Sequence, residues 1–467
     1  MLRIEDTDEK RFVPTAEKYI IDALNWLGIT PDHGPTFGNG KYAPYRQSER
    51  NYREYAEALV ASGDAYFAFD TPDELDAARK AFAASGSTFA YGHATRSDMR
   101  NSLSMSEGEV DRLLSNGTPY VIRFKIPGDV EVEFIDMVRG SITFNTSTLD
   151  DKVLFKSTGT PTYHLAVCVD DHLMDITHVF RGEEWIPSTP LHLLIYKALG
   201  WDAPEFGHLP LLLDSSGAKM SKRNAVKKGY PIFPFAVDVF DDKGKHLGFS
   251  NGLKELGFEP DALFNYLALL GWTPKDGREI MDRTELIAAF NVAEVNNSGA
   301  EFSPKKAAFF NRAHLCKRDP KELFSYLPRN LFGYDDAQLE MIVKAGMERS
   351  YFAHEISGVV NYLFMDVDIP FNDFKNVEQF PNVLGAVIGM CTTVRWDLAS
   401  IGDQLTKAIE VTGAHRGSAM NNLRLCFTGG ASGPKLHEMM VMMGRKETLR
   451  RLAKAESKLA SDAHTSR

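Results

Sequence analysis

Apolar positions along the chain change rhythm twice. Residues 15–28, TAEKYIIDALNWLG, carry Ile20, Ala23, Leu24 and Leu27 at helical spacing and stop at Gly28. Residues 48–63 repeat the pattern through Tyr52, Tyr55, Ala56, Leu59 and Val60. AYFAF then reads as a strand and TPDEL as a helix start, with Thr71 as cap, Pro72 at the first helical position and Glu74 closing a capping box. From 118 to 145 the rhythm shortens to that of strands: YVIRFKIP, then VEVEF with strict alternation, then SITF.

Between 151 and 214 helix and strand alternate. VLFKS and THVF read as strands, PSTPLHLLIYKALG as a helix and LPLLLD as a buried strand. Such βα alternation predicts a parallel sheet, so the β-rich stretch 65–148 reads as an insertion between two halves of an α/β domain. After about 320 the strand signals fade. Asp319, Pro320 and Glu322 open a helix, and the windows AQLEMIVKAGMERSYFAHEISGVV, LASIGDQLTKAIEV, KLHEMMVMMG and KETLRRLAKAESKLA make the last third mainly helical. No fixed-period repeat interrupts this order.

A length of 467 residues asks for two to four domains, and 43% hydrophobic with 25% charged residues is a globular composition. No stretch approaches the ~18 apolar residues of a membrane span, and the N-terminus lacks a signal-peptide core, so a cytoplasmic location is expected. Cys168, Cys316, Cys391 and Cys426 lie far apart without a CxxC pair, which predicts reduced, mostly buried thiols and no zinc site. The net charge of −10 does not advertise a nucleic-acid binder, although a local basic patch can still hold a polyanion. One candidate is 435–467, with eight Lys or Arg against four acids. It reads equally as a solvated helix face or a phosphate-contacting one.

Three stretches carry candidate chemistry. LPLLLDSSGAKMSKRNAV runs from a strand into a Ser/Gly turn and delivers Lys219, Lys222 and Arg223 within five residues. Ligands of open α/β sheets bind beyond the strand carboxyl ends, and lysines there can stabilise a departing pyrophosphate. The alternative is a solvated basic loop. IEDTD places carboxylates where they could hold an ammonium group or a ribose, or could cap the following helix. KSTGTPTYHLAVCVDDHLMDITHVFRGEEW gathers Tyr163, His164, His172, His178, Asp170, Asp171, Arg181, Glu183, Glu184 and Trp185. It holds no compact metal motif, so the histidines read as packed scaffold, while the planar fork of Arg181 suits a substrate carboxylate. TGGASGP lacks GxxxxGK[ST] and reads as a helix-joining turn.

Taken in order, RIEDTDEKR, YRQSER, DDKVLFKSTGTPTYHLA, VDDHLM, RGEEW, STP and KMSKR resemble the bacterial type of glutamyl-tRNA synthetase, a class I aminoacyl-tRNA synthetase. The resemblance continues through YLALLGW, EFSPKKAAFFN and LRLCFTGGASGP ahead of MGRKETLRRL, and GYPIFPFAVDVFDDKGKHLGFSNGLKELG looks like a subgroup elaboration. It implies an α/β fold: a Rossmann-type catalytic domain with a β-rich insertion, followed by an all-α anticodon-binding region. The implied boundaries are 1–62 and 151–225 for the two catalytic halves, 63–150 for an insertion receiving the tRNA acceptor end, 226–316 for stem contact and 317–467 for the anticodon.

The family activates glutamate with ATP and transfers it to tRNA(Glu). By motif, Glu5 would hold the substrate amino group, Tyr163 would line the amino-acid pocket and Arg181 would bind a substrate carboxylate. Glu184 would lie at the ATP site, and Lys219 and Lys222 would engage the phosphates, with Mg2+ accompanying ATP. The chain is expected to be a monomer without membrane attachment. Three departures stand out. Val167 occupies a position where the family usually has an asparagine, removing an amide from the pocket. AYFAFD has no cysteine, so no zinc is expected in the insertion. The family's APSPTG-like strand and HIGH-bearing helix precede RIEDTD, so the first strand–helix unit is expected to be missing and encoded upstream of Met1. Two alternatives remain beside the ligase: a tRNA-binding remnant without activation chemistry, and an enzyme that also charges tRNA(Gln). The retained Glu5, Arg181 and Lys222 favour catalysis.

Overall fold

In the computed structural model, residues 1–8, 13–241, 244–328, 334–430 and 433–465 are described, without the side chains of 222, 223 and 461–465. They form two compact units, Met1–Asn251 with Phe264–Ser303, and Gly252–Leu263 with Pro304–Arg467.

In the first unit the helical rhythm near the N-terminus becomes α1 (Ala16–Trp26) and α2 (Arg53–Ala61). Gly28 follows α1 with φ +65°, a conformation that costs glycine little. After β1 (Ala65–Ala68), α3 (Pro72–Ala84) starts as its sequence requires: the Glu74 amide donates to Thr71 Oγ1 at 3.3 Å, and the Thr71 amide donates to Glu74 at 2.7 Å. α4 (Glu107–Ser115) precedes β2 (Val121–Phe124), β3 (Glu131–Asp136), β4 (Gly140–Asn145) and β5 (Val153–Phe155). α5 (Tyr163–Leu173) is a helix that periodicity does not reveal. Every residue from Leu165 to Asp171 is buried, so no polar face marks its period. β6 (His178–Gly182), α6 (Thr189–Leu199), β7 (Glu205–Leu209) and β8 (Leu212–Leu213) follow.

The strands build a mixed arrangement. β1, β2 and β5 form an antiparallel sheet, and a second sheet runs β4-β3-β7-β6. β6 and β7 pair in parallel over five residues, while β3 meets β7 in parallel only at Asp136 and Phe206. The expected parallel pairing is thus present, but strands from 65–148 share sheets with strands of the α/β stretch and do not form a separate layer. LPLLLD is not one buried strand. The buried strand is the preceding EFGHL, and Leu212 and Leu213 make a short parallel pair with β11 (Ala300–Glu301), leaving Leu212 exposed. The remaining elements are α7 (Lys222–Lys228), the hairpin β9 (Val237–Phe240) and β10 (His246–Ser250), α8 (Pro260–Ala268), whose residues are divided between the two units, and α9 (Arg283–Ala289). The core centres on Tyr52, Leu59, Ile122, Leu154, Leu165 and Ile195.

The second unit contains α10 (Pro304–Leu315), α11 (Asp336–Met347), α12 (Ile356–Val360), α13 (Phe380–Thr393), α14 (Leu398–Glu410), α15 (Arg416–Thr428) and α16 (Leu436–Thr465). Asp319 caps a 3-10 helix, Pro320–Tyr326, and the first long window is broken between α11 and α12. Gly444, at φ +77°, divides α16 where the sequence separates KLHEMMVMMG from KETLRRLAKAESKLA. In TGGASGP, Thr428 is the last residue of α15 and Gly429 ends the helix in the left-handed region; Ala431 and Ser432 lie outside the described residues.

The basic run from Lys435 is a largely exposed face, with Lys435, Arg445, Lys446, Arg450 and Lys458 in solvent, except at Arg451. Arg451 is buried and donates to the carbonyls of Phe427 and Met365 and to Glu447. Arg450 bonds Glu447 and Asp366, and Lys454 bonds Asp366 at 2.7 Å. These cations fasten the helical unit together. Among the described residues no helix is long and apolar enough to cross a membrane.

Candidate active site

The IEDTD segment is held by main chain and by buried charge. The Ile4 amide donates to the Tyr45 carbonyl at 2.8 Å, and the Ile4 carbonyl accepts from the Gln47 amide at 3.0 Å. Arg3 donates to Asp171 at 2.7 Å and to Glu5 at 3.1 Å. Burial works against the Arg3 charge, but Asp171 and Glu5 more than offset it and raise its pKa. The neighbouring Asp170 accepts from Gln47 and Tyr52 and pairs with Arg50 at 2.7 Å. Asp6 accepts from the Ser48 amide at 2.8 Å and from its hydroxyl. None of these acids caps α1, whose N-cap is Thr15. Glu5 therefore lines a cavity of about 1020 Å3, together with Asp6, Arg46, Tyr163 and Trp185.

Arg181 sits near the carboxyl end of β6 with an unusual set of partners. Its Nε donates to His208 Nε2 at 3.1 Å, and its Nη2 donates to Thr189 Oγ1 at 2.8 Å. Nη1 lies 3.4 Å from the Tyr163 hydroxyl and 3.3 Å from His192 Nδ1. Tyr163 opens α5 and packs on Trp185 with ring centroids 4.6 Å apart. Each acceptor within reach of the guanidinium is neutral, and no carboxylate among the described residues pairs with it. A planar cation held by neutral groups keeps its charge for an arriving anion.

Beneath Arg181 lies a buried polar cluster that sequence reasoning missed. His208 Nδ1 is 2.6 Å from Asp136, and His192 Nε2 is 3.0 Å from His164 Nδ1. Burial, followed by nearby cations, holds the His164 pKa down to about 4 and that of His192 well below its ordinary value. Burial also lowers His208, despite its bond to Asp136. The available signal was strand register: Phe134 and Asp136 are the buried positions of alternating β3, as Phe206 and His208 are among the buried positions of β7. A charged residue on a buried face asks for a partner.

The basic loop forms a third part. The buried Asp214 organises the turn, accepting from the Ser216 and Ala218 amides and from Lys228 Nζ at 2.6 Å, which holds its carboxyl well below the usual range. Lys219 Nζ reaches Glu184 at 2.9 Å, and this bond lowers the Glu184 pKa. Ser221 caps α7 by accepting from the Asn224 amide at 3.2 Å. The side chains of Lys222 and Arg223 lie outside the described residues.

The structure thus brings Glu5 and Tyr163 to one cavity, sets Arg181 against Tyr163, and pairs Glu184 with Lys219. Trp185, which follows Glu184, belongs to the same cavity wall. Val167 is buried in the core shared with α2 and α6. His172 stacks on Trp201 at 4.0 Å, and His178 bonds Thr177 at 2.9 Å, as scaffold histidines would. Among the described residues no group of three His, Cys, Asp or Glu is arranged to hold a metal ion. A second cavity of about 690 Å3, lined by Gly63, Lys125 and Lys197 among others, shares no residue with this region.

Residues 1–230 and 242–308 match the family model for the catalytic domain of class I tRNA synthetases (E and Q), and residues 321–456 match an anticodon-binding domain. The unmatched 231–241 falls within the stretch read as an elaboration. The chain is 43% identical to the glutamate–tRNA ligase of Flavobacterium johnsoniae, over 98% of its own length and 92% of the relative's. It is 42% identical to that of Porphyromonas gingivalis, over 97% and 91%. Among solved structures it is similar to a glutamate tRNA ligase from Elizabethkingia meningosepticum in complex with its amino acid, with TM-score 0.85 and 40% identity over 98% of this chain and 92% of that one. The glutamate-tRNA synthetase of Elizabethkingia anophelis gives TM-score 0.83 at 40% identity, over 97% and 92%.

Proposed function

The chain belongs to the glutamate–tRNA ligase family of class I tRNA synthetases, and on that premise we propose how its residues divide the reaction. It is an aminoacyl-tRNA ligase that uses ATP to join glutamate to tRNA(Glu). The glutamate carboxylate attacks the α-phosphate of ATP, pyrophosphate leaves, and a terminal ribose hydroxyl of tRNA then takes the acyl group. No enzyme nucleophile takes part, so the protein contributes position and matched charge.

Glu5 holds the substrate ammonium, Tyr163 and Trp185 wall the pocket, and Arg181 binds a substrate carboxylate. Glu184 lies at the ATP site, and Lys219 and Lys222 meet the phosphates, Lys219 by leaving Glu184. Mg2+ arrives with the nucleotide, held mainly by phosphate oxygens and water. The observation that carries this reading is Arg181, set among neutral acceptors with no acid partner among the described residues. Residues 63–150 receive the acceptor end, 226–316 support the stem, and 317–467 read the anticodon; the match of 321–456 to an anticodon-binding model supports the last. The enzyme acts as a monomer in the cytoplasm.

Replacing Arg181 tests the pocket. A hydrogen bond to a charged group contributes about 1.5–3 kcal/mol, so Arg181→Gln should raise the KM for glutamate ~10–100-fold while the KM for ATP holds. An unchanged glutamate KM in aminoacylation would remove Arg181 from the pocket.

A further inference from the structure

Arg181 can donate five N–H bonds and accept none, so each group around it must present a lone pair. A histidine can do so on only one ring nitrogen, and only while neutral. His208 turns Nε2 toward Arg181 Nε at 3.1 Å and Nδ1 toward Asp136 Oδ2 at 2.6 Å. An ionised Asp136 accepts only, so Nδ1 carries the hydrogen and Nε2 is left as the acceptor. The opposite tautomer would set N–H against N–H, and a protonated ring would set cation against cation.

We propose that Asp136 and His208 form a positioning dyad that fixes one imidazole tautomer and thereby holds Arg181 in place without neutralising it. This deepens the assignment of Arg181 to a substrate carboxylate and rests on it. A carboxylate in the place of His208 would hold the guanidinium more tightly but would compete with the substrate for its charge. The dyad sets the carboxylate one ring further away.

The surroundings of Asp136 support an acceptor-only role. Its Oδ1 accepts from the Val138 amide at 3.0 Å, the Arg139 amide at 2.9 Å and the His208 amide at 3.2 Å. Desolvation opposes its ionisation, yet these bonds and that from His208 keep its carboxyl below the usual range. The other groups facing His208 are the Thr189 hydroxyl at 3.3 Å, Arg139, whose Nε approaches the His208 carbonyl at 3.4 Å, and the Phe206 ring. None is an acid. The second histidine follows the same logic. His192 Nδ1 faces Arg181 and must accept, so its Nε2 carries the hydrogen and donates to His164 Nδ1.

The decisive variant is Asp136→Asn in the full chain. Its amide oxygen can keep the backbone bonds, which turns the amide NH2 toward His208 Nδ1 and reverses the tautomer. The KM for glutamate should rise ~10–100-fold, as when a histidine loses the outer carboxylate that orients it, with the KM for ATP and kcat within about twofold. In 15N spectra of histidine-labelled protein, taken without substrate, His208 should be protonated on Nδ1 in the wild type and on Nε2 in the variant. His208→Gln still offers a carbonyl to Arg181, and adding Asp136→Asn to it should cost nothing more. If Arg181→Gln raises the glutamate KM and Asp136→Asn does not, the dyad is refuted while the pocket assignment stands. If Arg181→Gln leaves that KM unchanged, the pocket assignment falls and the dyad's purpose with it. A wild-type His208 protonated on Nε2 refutes the dyad whether or not the variant folds.

Discussion

His164, His192 and His208 remain neutral in the folded chain at pH values where a free imidazole is half protonated. As pH falls, the unfolded chain therefore takes up protons first. Their contribution to stability is complete above about 6.5, the ordinary value for histidine, and is lost as pH drops through it, for His164 down to about 4. For His164 the full loss is on the order of 3 kcal/mol. Thermal unfolding followed from pH 7.5 to 4 should show the first unit weakening over this window, and His164→Gln should flatten the slope. The lysines of the basic loop make a second pair of variants. Lys222→Ala should slow adenylate formation by ~10²–10³ with saturating ATP, the usual cost of one preorganised donor. Lys219→Ala should also free Glu184, so part of its loss should return in Lys219→Ala/Glu184→Gln. Normal aminoacylation by Lys222→Ala would take the loop out of the mechanism. At this scale Glu5, Arg181 and Lys219 were legible because charge stood beside motif. Asp136 and His208 were not, because each looks ordinary until strand register turns it inward.

Among the elements, α16 shows how a basic run can serve the fold. Arg451 satisfies the carbonyls of Phe427 and Met365 from a buried position and is tied to Glu447. Arg451→Met would leave two buried carbonyls without their donor, while Glu447 keeps Arg450, for a loss of ~3 kcal/mol, read as a lower denaturation midpoint with the slope retained. An unchanged midpoint would mean that water replaces the guanidinium. The amphipathic windows of the second unit were legible because each buries one stripe, as α14 buries Ile401, Leu405 and Ile409. α5 escaped for the opposite reason: a helix buried on all sides loses the polar face that periodicity detects. LPLLLD misled in a third way. Three leucines in a row suggest a core strand, but the adjoining EFGHL holds that place with fewer apolar residues because it is bounded by neighbouring strands on both sides.

For the whole molecule, a net charge of −10 means that a polyanion must be met locally. Arg450 holds Glu447 through two nitrogens and shares Asp366 with Lys454, a network and not a lone exposed pair, so both are poorer candidates for phosphate contacts. Arg450→Ala and Lys454→Ala should leave the slope of log affinity for tRNA against log salt unchanged, measured between 50 and 200 mM, whereas losing a true phosphate contact reduces it by about one. A flatter slope in either variant would return α16 to the tRNA surface. The division into an α/β part and a helical part was legible from the change of rhythm near 320, because each class of element buries its apolar residues at its own period. How the strands of 65–148 join those of the α/β stretch was not, since pairing depends on neighbours far along the chain. The bond between Lys219 and Glu184 carries a last consequence, for time. Both side chains are about half in water, and an exposed pair of this kind contributes only ~0–1 kcal/mol. Lys219 is therefore released spontaneously in a sizeable fraction of molecules, and ATP captures a lysine already free without having to pull it loose. The rate of ATP binding in rapid mixing should accordingly rise in proportion to ATP, in a single phase, with no plateau set by the opening of the pair.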